Sequence, residues 1–254
     1  MIRNFITALQ FLTVFRVRKD HDMDENELAR AMAYFPFVGF FIGIILVYAY
    51  KALLTFFPDT ISNIFLILLS VLITRALHVY GLSDSIDGLM GGTDRASRLA
   101  IMKDSRIGSA GVLGIVFVLL IKYVCLNSLF SDNKTAALLT APAFSRWSQM
   151  LMMFHADYGR EEGMGRAFVG HVRLGGLIAA SVISPGISAF VIVDDSRTIV
   201  LAAALPCLVG LFTVLWRWYV VRKIGGVTGD AVGAVSEMNE ALTLLLFVSL
   251  LTER

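Results

Sequence analysis

The run GSAGVLGIVFVLLIKYVCLNSLF, residues 108–130, carries one charged side chain, Lys122, among mostly apolar residues. A helix of roughly 20 such residues crosses the ~30 Å hydrocarbon core of a bilayer. Further runs of this kind lie at 34–57, 61–80, 135–154, 174–193 and 198–221. A seventh, 231–251, starts amphipathic with Glu237 and Glu240, so we expect it to enter the membrane from a polar surface.

The composition of the whole chain agrees with a lipid environment. Of the 254 residues, 57% are hydrophobic and 17% are charged, whereas soluble proteins have about 25% charged residues. An isolated span in lipid must satisfy its own backbone hydrogen bonds. The sequence therefore predicts an all-α, polytopic membrane helix bundle of about six or seven transmembrane helices, with residues 1–254 forming a single membrane domain.

The N-terminal segment, residues 1–18, is amphipathic. Its apolar residues, among them Phe5, Leu9 and Leu12, recur at three- and four-residue steps, while polar residues such as Arg16 fall largely elsewhere. This pattern is typical of a helix that lies in the membrane interface. We therefore expect an interfacial helix ahead of the first span.

The breaks between the spans differ in length and in charge. Short breaks lie at 58–60, 132–134 and 194–197, and long ones at 81–107, 155–173 and 222–230. The long breaks and the N-terminal segment share one side and carry Arg3, Arg16, Arg18, Lys19, Arg30, Arg95, Arg98, Lys103, Arg106, Arg160, Arg166, Arg173, Arg222 and Lys223. The other side has Lys134, Arg197 and Arg254. The positive-inside rule predicts a cytoplasmic N-terminus and cytoplasmic long loops.

Charge and cysteine content argue against two other kinds of site. The net charge is only +2 and no basic run is interleaved with aromatic residues, so we expect no nucleic-acid partner. Cys125 and Cys207 each lie in an apolar run without metal-ligand spacing. Charges inside the spans are costly, so we expect Arg75, Lys122 and Arg146 to face the bundle interior, pairing with acids or lining a cavity.

The first long loop starts with HVYGLSDSIDGLMGG, residues 78–92. Asp84 and Asp87 are three residues apart and would share a helix face, where their repulsion favours a cation between them. Carboxylate oxygens suit Mg²⁺, Mn²⁺ or Ca²⁺, and Mg²⁺ often shares its shell with substrate phosphates. A solvated helix start is the alternative interpretation. His78 is either a general base or ligand contact, or an ordinary interfacial histidine.

The same loop continues with SRLAIMKDSRIG, residues 97–108, in which Lys103 and Arg106 flank Asp104 and Arg98 precedes them. Such cations could hold phosphate oxygens while the carboxylate helps to hold a metal. Charges that pair with each other are the alternative, and the spacing leaves both open.

Two further long loops are rich in glycine: YGREEGMGR at 158–166, which contains Arg160, and GGVTGDAVG at 225–233. Closely spaced glycines let backbone N–H groups approach a phosphate, so Gly229 is a candidate contact. Asp230 is a candidate metal ligand or a plain N-cap. Glu237 returns to roughly the same helical face seven residues on. Acidic residues therefore converge from separate loops.

These segments, in this order, resemble the cobalamin synthase family, also called adenosylcobinamide-GDP ribazoletransferase. The matching stretches are GLSDSIDG at 81–88, IMKDSRIG at 101–108, residues 158–165, and GVTGD at 226–230 followed by Gly233, Ala234 and Glu237. The Met-Lys-Asp-Ser-Arg and Gly-Val-Thr-Gly-Asp runs are the specific ones, and the resemblance covers nearly the whole chain.

The resemblance implies a multi-pass enzyme of the bacterial inner membrane that uses Mg²⁺. It would transfer the cobinamide-phosphoryl group of adenosylcobinamide-GDP to a ribose hydroxyl of α-ribazole, or of α-ribazole phosphate, and release GMP. Asp84, Asp87 and Asp104 would then bind the metal, with Asp230 or Glu237 at a second ion. Lys103, Arg106, Arg160 and, less directly, Arg98 would hold the pyrophosphate, and His78 would relay a proton.

The sequence departs from the family pattern at one position and leaves two rival functions to weigh. The pattern has His-x-Asp-Gly-Leu where this chain has Tyr80, which removes one carboxylate. A CDP-alcohol phosphotransferase also uses Asp-x-x-Asp-Gly, but its motif continues with Ala-Arg where this chain has Leu89 and Met90. A transporter would be expected to place ionisable groups near mid-membrane, often with repeated halves. Here we expect the acids to cluster at one face instead. The number of copies in an assembly, a homo-oligomer included, is left open.

Overall fold

The computed structural model describes residues 2–17, 25–192 and 196–251. Three of the cations counted for the two membrane sides lie outside these residues: Arg18, Lys19 and Arg254. Asp194 and Asp195 of the third short break also lie outside them. The helices are α1 Ile2–Leu12, α2 Glu25–Ala31, α3 Phe35–Leu53, α4 Asp59–Ile73, α5 Leu77–Gly91, α6 Arg95–Lys103, α7 Ser109–Ser128, α8 Ser131–Met153, α9 Leu174–Ile192, α10 Ser196–Ile224 and α11 Gly229–Leu251. Within the described ranges, β pairing is limited to one isolated bridge.

Five helical stretches are long and apolar enough to cross a membrane: Asn26–Leu53, Ser109–Ser128, Leu174–Ile192, Arg197–Ile224 and Gly229–Leu251. A sixth is obtained if α4 and α5, which meet at an angle of 87°, are counted as one broken span. The prediction of an all-α, multi-pass bundle is confirmed. The continuous span expected at 61–80 is wrong in detail, because α4 ends at Ile73 and a new helix begins at Leu77.

The helix found where a span was expected at 135–154 is α8, and it occupies the centre of the bundle. It packs mainly against α3 and α11, and nearly all of its side chains are buried. At Gly39 of α3 there is no room for a side chain, because a β-carbon there would meet the main chain of Pro142. The polar side chains of α8 therefore face other helices, which explains why α8 is less apolar than a span exposed to lipid.

A network of buried charges joins α7, α8 and α11. The Lys122 ammonium donates to Glu237 at 2.7 Å and to Glu240 at 3.1 Å, and Arg146 donates to Glu240 at 3.2 Å. This confirms that Lys122 and Arg146 face the interior and pair with acids. The expectation that Glu237 and Glu240 mark a polar surface at the start of the last span is wrong, because they are only 4% and 8% exposed and face the other helices.

The bend between α4 and α5 is made by two residues in the left-handed region, Arg75 (φ 54°) and Ala76 (φ 55°). This backbone conformation costs about 1–3 kcal/mol for a non-glycine residue. The Arg75 guanidinium donates to the carbonyls of Gln10 and Thr13 at 3.2 and 3.0 Å. The bend is thus fastened to the end of the N-terminal helix α1, and it turns α5 so that α5 can pack along α11.

Candidate active site

The three long loops lie together, as their shared charge predicts. The backbone of residues 157–159 pairs with Val227, through Val227 N–H to Asp157 at 2.8 Å and Gly159 N–H to Val227 at 2.9 Å. Arg98 of α6 donates to the Lys223 carbonyl at 3.4 Å. Residues far apart in sequence thereby form one continuous polar end of the bundle.

Three charged residues, one from each long loop, meet where these segments join. The Arg160 guanidinium donates to the Asp230 carboxylate at 2.5 Å. The half-buried Asp84 interacts electrostatically with Asp230, Arg160 and Asp87. Close packing of α5 on α11 makes this possible: a β-carbon at Gly81 would lie 2.7 Å from the Asp230 carbonyl oxygen. We call Asp84, Arg160 and Asp230 the charged triad.

Asp87 has a different environment from Asp84, although the two were expected to act alike. Its carboxylate accepts hydrogen bonds from the backbone N–H groups of Gly108 and Gly111, both at 2.8 Å. These groups belong to the first turn of α7, where a negative charge is stabilised by unpaired N–H donors. Asp87 therefore anchors α5 to the start of α7. Gly108 and Gly111 are the sequence signal for this contact, because a β-carbon at either position would collide with the Asp87 carboxylate.

Asp104 and the cations beside it lie at the surface. The Arg106 guanidinium donates to the Asp104 carboxylate at 2.6 Å. This hydrogen bond, together with one from the Arg106 backbone, lowers the pKa of Asp104 to about 2. The two charges pair with each other, which was one of the two interpretations left open, while Lys103 is exposed.

Two further candidates are engaged in contacts that hold the bundle together. Arg98 joins α6 to the last turn of α10 through the Lys223 carbonyl. Glu237 is bound by Lys122 in the buried network. Neither Arg98 nor Glu237 is among the charged groups that interact with Asp84.

A cavity of about 710 Å³ opens beside the charged triad, within the roughly 300–1,000 Å³ that small-molecule sites occupy. Its polar lining includes Arg16, His78, Tyr80, Gln149, Arg160, Gly229 and Asp230. Its aromatic lining includes Phe11, Phe35, Tyr158 and Phe168. Sequence reasoning did not single out Gln149, because a glutamine inside an apolar span carries no motif.

Tyr158 forms part of the wall that connects the cavity to the charged triad. Burial and the neighbouring Asp230 carboxylate raise the pKa of the Tyr158 phenol, against the opposing effect of Arg160. The phenol is therefore neutral at physiological pH and can donate a hydrogen bond to an anion.

The described residues contain no group of three or more His, Cys, Asp or Glu side chains arranged as a metal cage. Mg²⁺ is commonly bound by only one or two carboxylates, with water and substrate phosphates completing its shell. The neighbouring carboxylates Asp84 and Asp230 fit that donor set. Asp87 fits less well, because both its oxygens already accept backbone hydrogen bonds.

The fold and the cavity define a multi-pass membrane protein with a charged candidate site at one end of its helix bundle. More particularly, the chain belongs to the cobalamin-5-phosphate synthase family, whose family model matches residues 4–248. It is 35% identical over 252 residues to the adenosylcobinamide-GDP ribazoletransferase of Geotalea daltonii, covering 98% of both chains. Enzymes of the same name from Thermoanaerobacter pseudethanolicus and Clostridioides difficile are 35% and 33% identical, again over 98% of each chain. No solved structure matches the chain.

Proposed function

We propose that this protein is an adenosylcobinamide-GDP ribazoletransferase. It transfers the adenosylcobinamide-phosphoryl group of adenosylcobinamide-GDP to α-ribazole or α-ribazole phosphate, and GMP leaves. Whole-chain membership of the family argues against the CDP-alcohol phosphotransferase and transporter alternatives. The observation that carries the proposal is the charged triad of Asp84, Arg160 and Asp230 beside a cavity large enough for a nucleoside.

In the proposed reaction, a ribose hydroxyl oxygen attacks the phosphorus atom attached to the cobinamide side chain. The bond from that phosphorus to the bridging oxygen breaks, and the bridging oxygen leaves on GMP. The hydroxyl proton passes to a carboxylate, for which Asp84 is our candidate because it is half-buried and interacts electrostatically with Arg160 and Asp230, which line the cavity. His78, which lines the same cavity, is the alternative relay.

Phosphoryl transfer depends mostly on positioning and on neutralising charge. Arg160, already oriented by Asp230, would hold the pyrophosphate from one side, and the neutral Tyr158 phenol would donate to an oxygen. Lys103 and Arg106 are exposed on the neighbouring loop and would attract the anionic nucleotide. Gly229, which has no side chain and lines the cavity, would let backbone approach the phosphates.

We propose Mg²⁺ as the cofactor, held by Asp84 and Asp230 together with substrate phosphate oxygens. The metal would neutralise charge on the pyrophosphate and on the leaving group. Asp87 would support this site from behind by fixing α5 to α7. We leave Asp104 and Glu237 outside the metal site, because Arg106 and Lys122 engage their carboxylates.

We also propose that the protein lies in the bacterial inner membrane with the charged triad facing the cytoplasm, as the positive charge of the long loops indicates. A background lacking Cys125 and Cys207 allows a test with Ser105→Cys in a long loop and Asp132→Cys in the first turn of α8, which follows a short break. A membrane-impermeant maleimide should label the Asp132→Cys variant in intact spheroplasts and the Ser105→Cys variant only after lysis. The opposite labelling would reverse the orientation.

The activity is tested with purified protein in lipid vesicles supplied with adenosylcobinamide-GDP and α-ribazole. We expect release of GMP and formation of adenosylcobalamin, both abolished by EDTA and restored by excess Mg²⁺. Activity that EDTA leaves unchanged would contradict the metal assignment, and the absence of both products would contradict the function.

A further inference from the structure

We propose that His78 and Gln149 form a hydrogen-bonding subsite that holds a ribose hydroxyl of the nucleoside acceptor inside the cavity. This inference rests on the proposed function. Gln149 would favour the nucleoside acceptor over its free base. The acceptor would lie in the cavity and the much larger corrinoid donor outside its mouth.

Both side chains are buried in the wall of the cavity. Gln149 on α8 is 1% exposed and His78 on α5 is 3% exposed, yet both line the cavity. The amide nitrogen of Gln149 lies 3.3 and 3.4 Å from the two imidazole nitrogens. The amide oxygen is fully buried, and no hydrogen-bond partner for it is found among the described residues. Buried polar atoms are nearly always paired, so this oxygen is ready for a donor supplied by a ligand.

Few groups of the acceptor can supply that donor. An amide oxygen accepts from O–H or N–H groups only. The benzimidazole of a ribazole has no N–H once its nitrogen carries the ribose, so the hydroxyl groups of the sugar are its only donors. A ribose hydroxyl at Gln149 would place the rest of the sugar towards the charged triad, because Asp230 and Arg160 line the same cavity.

Three aromatic rings in the cavity wall offer a surface to the base. Phe11 stacks on Phe35 with ring centroids 6.0 Å apart, and it meets Phe168 edge-on at 5.2 Å. All three rings line the cavity. A flat, apolar base without hydrogen-bond donors suits such a wall. Guanine suits it less well, since it would leave several polar edges unpaired.

The experiment measures equilibrium binding to the purified full-length protein. The ligands are α-ribazole, 5,6-dimethylbenzimidazole, which lacks the sugar, and GMP. Wild-type protein should bind α-ribazole roughly tenfold more tightly than the free base, the value of about one hydrogen bond. Gln149→Met, which keeps the length of the side chain and removes the amide, should lose that preference while the Kd of the free base stays the same. An unchanged preference would overturn the inference, as would an affinity for GMP that depends on Gln149 in place of the affinity for α-ribazole.

A second variant guards against effects on folding. Gln149→Asn keeps the amide but withdraws its oxygen by one methylene, and it should also reduce the preference. The ratio of the two Kd values, measured on one sample, does not depend on the fraction of folded protein. Binding needs no turnover, so a wild-type protein that shows the Gln149-dependent preference but releases no GMP contradicts only the proposed function. A protein that releases GMP with a Gln149-independent preference overturns only the inference.

Discussion

Arg160 and Asp230 come from loops separated by two long helices, α9 and α10, yet the guanidinium of the first donates to the carboxylate of the second at 2.5 Å. The contact joins the second long loop to the start of α11, and Asp84 of α5 lies in electrostatic range of both. A cation held between two acids is already oriented and partly neutralises them. Arg160 thus reduces, without cancelling, the negative field that a substrate phosphate meets at this site.

Arg160→Met should weaken the binding of the anionic donor. The change keeps an unbranched side chain and removes the charge-assisted hydrogen bonds, each of which contributes about 1.5–3 kcal/mol. We expect KM for adenosylcobinamide-GDP to rise roughly 10- to 100-fold, with a smaller change in KM for α-ribazole. Arg166→Met, in the same loop, is the matched control. Equal effects on the two KM values would show that Arg160 does not act on the pyrophosphate.

Tyr80→Asp should lower the Mg²⁺ requirement. Tyr80 is 57% exposed and lines the cavity, so the substitution should not disturb the bundle. It adds a carboxylate on the same face of α5 as Asp84, four residues away. We expect half-maximal activity at a lower Mg²⁺ concentration than in the wild type, measured by titrating Mg²⁺ at saturating substrates. Tyr80→Asn separates the effect of charge from that of size, and an equal response in Tyr80→Asn would rule out a metal contact.

Lys122→Met should destabilise the protein without a direct effect on substrate binding. It leaves the buried carboxylates of Glu237 and Glu240 short of a cation, and breaking a buried ion pair typically costs about 3–5 kcal/mol. We expect a lower Tm in detergent, partly restored by the double change Lys122→Met and Glu237→Gln. A double variant no more stable than the single one would contradict the pairing.

Asp104→Asn should alter the pH dependence of stability only in acid. Its pKa in the folded protein is about 2, below the value of about 3.9 for an unstructured aspartate. The pairing with Arg106 therefore contributes stability above about pH 4, and this contribution is lost as the pH falls towards 2. The Tm difference between wild type and variant should stay constant from pH 8 to pH 5 and shrink below pH 4. A difference that changes between pH 5 and 8 would contradict the lowered pKa.

Much of the fold follows from the sequence because lipid imposes simple demands. A run such as 108–130 must be helical, and it became α7, Ser109–Ser128. The break after Ile73 could not be predicted in the same way, because no residue pattern in the apolar run indicates that Arg75 and Ala76 adopt the left-handed conformation. They are held by contacts between Arg75 and the distant α1.

The candidate site was only partly readable for a similar reason. The sequence indicates that acids and cations share one side of the bundle, and Asp84, Arg160 and Asp230 do meet there. Which partner each charge finds depends on packing. Thus Asp87 binds the start of α7, and Glu237 binds Lys122. The role of Gln149 depends on a cavity lined by α1, α3, α5, α8, α11 and the second long loop, and no local sequence pattern predicts such a cavity.

The Asp84→Asn variant in lipid vesicles shows whether Asp84 takes part in phosphoryl transfer. Loss of a general base or metal ligand typically slows a reaction about 10²- to 10⁴-fold. We predict such a loss in GMP release, with donor binding retained. Asp132, an exposed residue in the first turn of α8, is the control, and Asp132→Asn should be as active as the wild type. Full activity of Asp84→Asn with both substrates would contradict the account.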